Sequence, residues 1–243
     1  MTPNIEIITF TIGGRDKYLT ECIAHIISHG RFHTKDFSPV IKQYVICQGS
    51  QAKITCEIDE IDRLKQSFYD VEIIELPENI GIASGLNMII PRLTAPIIIK
   101  MDDDCKIQSS NFFLHIMAVN KLNPNLVFSP FPVGLINNLG GPRRSADRYV
   151  QYSEEADTYY TFRPVDHVGG FARVTPLHAL KGCKFEPDLK PGISGNEDGQ
   201  YSEYCREHGI KMAYLENALI VEHNESTLGQ HARYGEAYFN GRF

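Results

Sequence analysis

Apolar and polar positions in the first half of the chain follow two alternating periods, one typical of buried strands and the other of amphipathic helices. Runs rich in β-branched residues predict four strands, at Ile5 to Thr11, Tyr44 to Cys47, Val71 to Leu76 and Ile97 to Met101. Between them, apolar residues at helical spacing predict three helices, at Tyr18 to Ser28, Ile54 to Leu64 and Ile82 to Leu93. This order predicts an α/β fold with a mainly parallel, Rossmann-like sheet covered by helices on both faces.

The second half of the chain is less regular. Its apolar runs predict strands at Leu126 to Phe131, Val168 to Val174, Met212 to Leu215 and Ala218 to Val221. A helix is predicted from Glu197 to His208, with Asn196 as its N-cap and Gly209 at its end. The stretch from Pro132 to Pro164 is unusually long for a plain connection, so we expect it to be functional or partly mobile.

Composition and charge narrow the class of protein. The 243 residues are 42% hydrophobic and 22% charged, which is enough for one sizeable core and argues against disorder. The net charge of -6 and the absence of a basic face argue against a nucleic-acid partner. The N-terminus does not read as a signal peptide, and no apolar run approaches the ~20 residues of a transmembrane helix, although peripheral membrane contact stays open. The six cysteines form no C-x-x-C pair and favour free thiols in a reducing cytoplasm, where we expect the protein to lie.

An acidic cluster, Asp102-Asp103-Asp104, directly follows the isoleucine-rich fourth strand. Ligands of parallel sheets bind beyond the carboxyl ends of the strands, and this cluster lies at that edge. Two unit charges 4 Å apart repel by about 1 kcal/mol in water and about 4 kcal/mol at an effective dielectric of 20. A divalent cation removes this repulsion, and carboxylate oxygens suit Mg²⁺ or Mn²⁺. The alternative is a solvated acidic turn, but the position at the end of a buried strand favours a metal site.

Four segments, in order along the chain, resemble those of the family 2 glycosyltransferases, which have a GT-A fold. They are the opening unit from Ile5 to Ile23, the Asn-x-Gly loop and helix from Glu78 to Asn87, the D-x-D motif from Ile99 to Asp104, and the Glu-Asp segment from Gly195 to Gly199 with its downstream Val221-Glu222-His223. The resemblance covers Ile5 to Asn224. Its ordered set of motifs is much more specific than the acidic triplet alone.

The resemblance implies a role for each matching residue. Asp104 is expected to bind the metal that bridges the donor's diphosphate, with His223 as a further ligand, and Asp102 to contact the ribose or the metal's water shell. Asp198 is expected to be the catalytic base, with Glu197 beside it. The remaining expected contacts are with the nucleotide sugar (Thr11, Arg15, Gln48, Asn79, Gly81, Asn87, Asp103) and with the acceptor (Gly169, Gly170).

Two loops depart from the family's pattern. Cys47 stands where the family carries an Asp that reads the nucleobase, and a thiol is a poor acceptor for a base N–H, although Gln48 follows it. The first strand is followed by Gly13-Gly14-Arg15 instead of the family's Pro-Thr-Tyr-Asn. These departures leave the nucleotide base open, with a UDP-sugar only weakly favoured.

The resemblance therefore implies one glycosyltransferase domain, with a nucleotide-donor-binding half at 1–125, an acceptor and catalytic half at 126–224 and a tail or lid at 225–243. The expected reaction is the inverting, hexosyltransferase-like transfer of a sugar from a nucleotide-diphosphate sugar to the hydroxyl of a glycan or other acceptor, assisted by Mn²⁺ or Mg²⁺. Glycan or polysaccharide synthesis is the expected setting. Two alternatives remain, a nucleotidyltransferase acting on sugar phosphates and a non-catalytic sugar-nucleotide-binding protein.

Overall fold

The computed structural model describes residues 2–12, 15–31, 38–49, 68–133, 147–187 and 196–223, apart from the side chains of 131–133. The strands are β1 (Ile5–Ile12), β2 (Ile41–Gln48), β3 (Tyr69–Leu76), β4 (Ile97–Met101), β5 (Cys105–Ile107), β6 (Val127–Val133), β7 (Tyr149–Ser153), β8 (Thr158–Pro164), β9 (Ala172–Pro176) and β10 (Met212–His223). The helices are α1 (Asp16–Gly30), α2 (Ile82–Ile89) with a 3₁₀ turn at Ile90–Arg92, α3 (Phe112–Leu122), α4 (Leu177–Lys181) and α5 (Glu197–Glu207).

The strands form one sheet in the order β3-β2-β1-β4-β9-β6-β10-β8-β7, with β5 paired to β10. The first four neighbours, β3, β2, β1 and β4, are parallel, as the sequence predicts. Strand β9 lies antiparallel between β4 and β6, and β7, β8 and β10 continue the mixed half of the sheet. The predicted α/β architecture with a mixed second half is confirmed.

Helices cover both faces of the sheet, and each face has its own apolar core. On one face, α1 buries Leu19, Cys22, Ile23, Ile26 and Ile27, the stripe that its periodicity predicts, and α3 packs on the same core. On the other face lie apolar residues of α2, α4 and α5. All five residues of β4 are buried, because this strand is covered on both sides. Within the described ranges, no helix is long and apolar enough to cross a membrane.

The structure contains strands that the sequence analysis did not predict. The hairpin of β7 and β8 lies inside the stretch from Pro132 to Pro164, and β5 follows the acidic cluster. The strand predicted at Val168 to Val174 begins only at Ala172. Asn196 occupies the predicted N-cap position of α5, although its side chain makes no capping hydrogen bond, and Gly209 adopts the positive φ of +66° expected after a helix.

The two short strands predicted near the end of the chain are one strand, β10, interrupted by a bulge. Its pairing with β6 shifts between Leu215 and Ile220, and Ala218 there has a φ of +66°. At this bulge the side-chain amide of Asn217 bonds the backbone of β8: its Oδ1 accepts the Thr161 N–H, and its Nδ2 donates to the Tyr159 carbonyl. The predicted helix from Ile54 to Leu64, the glycines 13 and 14 and the tail at 225–243 lie outside the described residues.

A close approach between α2 and β1 gives a test of this packing. A Cβ added at Gly85 would lie 2.3 Å from Cε1 of the Phe10 ring, although alanine favours a helix by about 1 kcal/mol over glycine. We expect Gly85→Ala to destabilise the protein by about 1–3 kcal/mol, because overpacking outweighs helix propensity. That loss corresponds to a fall in Tm of about 2–12 °C by calorimetry.

The control for this substitution is Ser84→Ala in the same helix, at a half-buried position. Its Tm is expected to stay within about 2 °C of the unsubstituted protein. A Gly85→Ala variant that matches or exceeds the stability of the unsubstituted protein would contradict the described contact between Phe10 and α2.

Candidate metal and catalytic site

The acidic cluster forms a tight turn between β4 and β5. The backbone N–H of Cys105 donates to the carbonyl of Asp102 at 3.2 Å, which reverses the chain. Strand β5 then pairs antiparallel with the end of β10, and this register sets Cys105 opposite His223. Residues separated by more than a hundred positions therefore meet at the carboxyl edge of β4.

Three predicted metal ligands come together at this turn. The Nε2 atom of His223 lies 3.3 Å from Oδ2 of Asp102 and 3.3 Å from Oδ1 of Asp104. One ligand atom from each residue lies within 4.8 Å of the other two. Opposite ligands on one cation, with bonds of about 2.1–2.5 Å, are about 4.2–5 Å apart, so these atoms can share an ion.

The bonding state of Asp104 also fits a cation. Its Oδ1 atom is buried and has no hydrogen-bond partner among the described residues, while Oδ2 pairs with Arg15 at 2.9 Å. Buried polar atoms without a partner are rare and call for an explanation such as an ion or ordered water. Two carboxylates and an imidazole are a donor set suited to Mn²⁺ and other divalent metals.

The middle carboxylate of the turn has a different environment. Thr11 donates its hydroxyl to Oδ2 of Asp103 at 2.7 Å, and Arg15 donates from Nε to both oxygens and from its terminal nitrogen at 2.5 Å. Burial raises the pKa of Asp103, and the charge of Asp104 adds to this, although Arg15 and Thr11 oppose it. A direct contact between Asp103 and the nucleotide, predicted from the sequence, would require these bonds to break.

Arg15 stands immediately before α1 and links two carboxylates of the turn. It binds Asp103 and Asp104, and its guanidinium lies 5.4 Å from the centre of the Tyr18 ring. The planar fork of arginine suits such paired carboxylate contacts better than the ammonium of lysine. The structure thus brings Thr11 and Arg15 to the acidic turn, and their contact with a nucleotide stays a prediction.

Lys100 is a buried cation in β4 that the sequence analysis did not single out. Its Nζ lies 2.7 Å from Oδ1 of Asp102 and 3.8 Å from Oε1 of Glu197. Burial opposes the charge of Lys100, but the nearby carboxylates outweigh it and raise its pKa. Against the opposing effect of burial, Lys100 and His223 hold the pKa of Asp102 well below its usual range. Burial likewise opposes the charge of His223, but Asp102 and Asp104 raise its pKa.

Glu197 and Asp198 are the first two residues of α5, and Glu197 faces Lys100. Asp198 accepts hydrogen bonds from the Gly170 N–H at 2.7 Å and from Arg173 at 2.9 Å, and its side chain is 27% exposed. The Glu197 side chain is only 5% exposed. Burial raises the pKa of Glu197 to about 7, with Lys100 opposing this shift and Asp198 adding to it.

Of the two glycines predicted to lie near the acceptor, Gly170 lies directly against Asp198. The Gly169 N–H donates to the hydroxyl of Tyr214 at 3.1 Å. A Cβ added at Gly170 would lie 2.2 Å from Oδ1 of Asp198, so only glycine allows this close approach of the carboxylate to the backbone. Contact of either glycine with an acceptor stays a prediction.

The predicted nucleotide loops meet at the same sheet edge. Gln48 ends β2, and its side-chain carbonyl accepts the N–H of Ile80 at 3.1 Å. Asn79 accepts the N–H of Gly81 at 3.0 Å, which stabilises a turn in which Gly81 has a φ of +80°. Cys47, which stands where the family carries an Asp, is buried at 1% exposure. Its side chain is therefore not accessible to a nucleobase.

Asn87 has both side-chain amide groups engaged with the backbone of Phe185. Its Nδ2 donates to the Phe185 carbonyl at 2.7 Å, and its Oδ1 accepts the Phe185 N–H at 3.1 Å. Asn87 therefore connects α2 to the segment after α4 through two hydrogen bonds. Its predicted contact with the nucleotide would compete with these bonds.

The sequence analysis missed two charged residues of the site, Lys100 and Arg173. Each is an isolated cation in an otherwise apolar strand, and this interruption of a buried run was the available signal. Lys100 and Arg173 are direct cross-strand partners on β4 and β9, so both reach the same face of the sheet.

Neither family models nor curated protein sequences match the chain. Solved structures do resemble it. S. aureus TarS 1-349 in complex with UDP-GlcNAc has a TM-score of 0.63 at 15% identity over 98% of this chain and 64% of its own. The mannosyltransferase PcManGT from Pyrobaculum calidifontis, with GDP-Man and Mn²⁺, has a TM-score of 0.64 at 13% identity over 96% and 60%. GalNAc-T7 with UDP, GalNAc and Mn²⁺ has a TM-score of 0.63 at 12% identity over 91% and 44%.

These likenesses show that the chain has a GT-A fold, as the sequence resemblance implied. The chain spans between 44% and 64% of the length of these three solved structures. At such identities the likeness concerns the fold, and the expected membership in family 2 stays a prediction.

The pKa of Glu197 generates a test of the site's electrostatics. Between the ordinary pKa near 4.5 in the unfolded chain and about 7 in the folded one, the native state binds a proton that the unfolded state has lost. The free energy of unfolding therefore falls by up to about 1.4 kcal/mol per pH unit through this window. Glu197→Gln removes this dependence, so its stability relative to the unsubstituted protein should rise by about 1–3 kcal/mol from pH 5 to 7.5.

The measurement is urea unfolding in metal-free buffer at several pH values. Glu203→Gln, which removes an exposed carboxylate from the same helix, is the matched control and should show a flat difference. If Glu197→Gln also gives a flat difference, Glu197 is ionised throughout this range and the described burial of its charge is wrong.

Proposed function

We propose that this chain is an inverting glycosyltransferase that moves a sugar from a nucleotide-diphosphate sugar to an acceptor hydroxyl with the help of a divalent metal ion. The observation that carries the proposal is the meeting of Asp102, Asp104 and His223 on a GT-A fold, with Lys100 linking Asp102 to Glu197, the residue before Asp198. A site for a metal-bound diphosphate and a group able to accept a proton thus lie on neighbouring elements of one sheet edge.

The charge balance of the site supports a divalent cation. Among the described residues, five carboxylates come together: Asp102, Asp103, Asp104, Glu197 and Asp198. Three fixed cations, Arg15, Lys100 and Arg173, face them. A histidine that binds a metal is neutral, so with His223 as a ligand and Glu197 either protonated or ionised the surplus is one to two negative charges. One divalent ion neutralises such a surplus.

Each residue around this cation has a separate task. Asp102, Asp104 and His223 would hold the ion, and a bound ion stabilises negative charge on a departing diphosphate. Arg15 and Thr11 fix the turn through Asp103, so the carboxylates are in place before a donor binds. Such preorganisation lowers the cost of assembling the site during each reaction cycle.

Asp198 is better suited than Glu197 to accept the proton of an acceptor hydroxyl. Its carboxylate reaches solvent, whereas Glu197 is enclosed and directed toward Lys100. Asp198 lies in the first turn of α5, where the positive end of the helix dipole favours a carboxylate. A single displacement assisted by this base inverts the anomeric centre.

The ligands of the structural neighbours support a nucleotide-sugar donor without choosing its base. The solved structures contain UDP-GlcNAc in TarS, GDP-Man with Mn²⁺ in PcManGT, and UDP, GalNAc and Mn²⁺ in GalNAc-T7. We therefore propose a nucleotide-diphosphate sugar as donor, a UDP-sugar as first choice, and Mn²⁺ or Mg²⁺ as the ion. A glycan or other hydroxyl compound as acceptor, polysaccharide synthesis and a cytoplasmic location belong to the same proposal.

Donor and metal binding can be tested together by thermal shift with UDP, GDP, CDP, ADP and dTDP, each with and without Mn²⁺. A ligand at 100 times its Kd stabilises by about 2.7 kcal/mol, which corresponds to a rise of about 5–10 °C for a chain of this size. We expect this rise to need both one nucleotide and Mn²⁺. Asp104→Asn should lower the affinity for Mn²⁺ at least tenfold, because it removes a charged ligand.

Glu203→Gln is the control for loss of an acidic side chain away from the turn, and it should bind as the unsubstituted protein does. An equal Mn²⁺ response in the Asp104→Asn variant would disprove the metal assignment. Absence of a shift with every nucleotide would disprove the proposed donor class.

The proposed base is tested by turnover of the nucleotide sugar identified in this way. Asp198→Asn keeps the size of the side chain and one acceptor oxygen for the donors Gly170 N–H and Arg173, but it cannot accept a proton. We expect kcat to fall by about 10²–10⁴-fold, with the KM for the donor within about threefold. Turnover near that of the unsubstituted protein would show that another group accepts the proton.

A further inference from the structure

The carboxylate proposed as the base is held from two directions by groups of the protein. Arg173 donates from Nη1 to Oδ1 of Asp198 at 2.9 Å, and the Gly170 N–H donates to Oδ2 at 2.7 Å. These two donors come from β9 and from the loop just before it, whereas Asp198 belongs to α5. The orientation of Asp198 therefore depends on contacts between elements and not on its own helix alone.

Arg173 is an unusual residue for the position it occupies. It is 1% exposed and stands in a five-residue strand whose residues are all buried. A buried guanidinium is costly unless it is paired, and a hydrophobic residue of similar size commonly serves a core at least as well. Packing alone therefore does not explain an arginine here.

The surroundings of Arg173 fix its guanidinium in one orientation. The guanidinium lies 4.3 Å from the centre of the Tyr201 ring, which belongs to the same helix as Asp198. Its direct cross-strand partner is Lys100, and the repulsion between these two cations favours directing Arg173 away from Lys100 and toward Asp198. Among the described residues, the ion pair of Arg173 is with Asp198, and its Nε atom has no hydrogen-bond partner.

Gly170 leaves the room that the Asp198 carboxylate needs for this close approach. A Cβ at this position would lie 2.2 Å from Oδ1 of Asp198 and 2.8 Å from Oδ2. Because Arg173 bonds one oxygen and the Gly170 N–H bonds the other, rotation of the carboxylate would break both hydrogen bonds. The Asp198 side chain nevertheless stays 27% exposed.

We propose that Arg173 is a positioning residue that acts through Asp198. It holds the Asp198 carboxylate in the orientation in which this group can take the proton of the acceptor hydroxyl. This inference rests on the proposed function, since it needs Asp198 to be the base. Arg173 itself is enclosed and would touch neither the donor nor the acceptor. Loss of its guanidinium should therefore slow the chemical step while leaving donor binding unchanged.

The test compares Arg173→Met and Arg173→Lys with the unsubstituted protein. Arg173→Met keeps an unbranched apolar side chain but removes the donor, and we expect kcat to fall about 10²-fold because small displacements of a reacting group have effects of that size. The donor KM and the Mn²⁺ affinity should stay within about threefold. Arg173→Lys restores a cation, and its kcat should be at least about tenfold higher than that of Arg173→Met.

A double substitution separates positioning from a general loss of structure. In the Asp198→Asn background, Arg173→Met should change the remaining turnover by less than about threefold, because it has no base left to position. All rates are divided by the concentration of sites that bind nucleotide and Mn²⁺, so that unfolded protein does not count. Glu203→Gln on the exposed side of α5 is the control with unchanged activity.

Each outcome bears on a different statement. Normal turnover by Arg173→Met, or equal effects of Arg173→Met with and without the Asp198 carboxylate, would overturn the positioning role while leaving the proposed function intact. A rise in donor KM that accounts for the whole loss would also overturn it, since Arg173 would then act on binding. Absence of nucleotide-sugar turnover by the unsubstituted protein would instead overturn the proposed function, and this inference with it.

Discussion

Three consecutive carboxylates enclosed at the end of one strand are the constraint on which the site depends. Asp103 and Asp104 are nearly inaccessible to solvent, and Asp102 is one-third exposed. Each has a compensating set of partners: Lys100 and His223 for Asp102, Arg15 for Asp103, and Arg15 with His223 for Asp104. Without these partners, burial of the charges would be strongly unfavourable.

The fold brings each partner from a distant part of the chain. Arg15 comes from the junction of β1 and α1, Lys100 from inside β4, and His223 from the end of β10. The last placement depends on a three-residue strand, because the pairing of β5 with β10 sets His223 opposite Cys105. A short and inconspicuous strand therefore determines whether the acidic turn has an imidazole beside it.

Sequence analysis predicted the first half of the fold well because its signals are local. The apolar stripe of α1 and the isoleucine run of β4 are visible within single windows of sequence, and the structure has both. In contrast, β5 has only three residues and depends on a partner more than a hundred positions away. The motifs identified the carboxylates and His223. The roles of Lys100 and Arg173 become visible only when β4 and β9 lie side by side in the sheet.

The distribution of unsatisfied polar atoms indicates that this edge of the sheet is adapted to a ligand rather than to stability. Seven buried side-chain atoms lack a hydrogen-bond partner among the described residues, and four of them belong to site residues: Asp104, Glu197, Arg173 and His223. Natural proteins satisfy most buried polar groups, and exceptions concentrate where function requires them. Because Oδ1 of Asp104 lacks only what a cation or its waters could supply, this unsatisfied atom and the surplus negative charge have one common explanation. The same site that weakens the unliganded fold would then be stabilised most by the proposed ion and diphosphate.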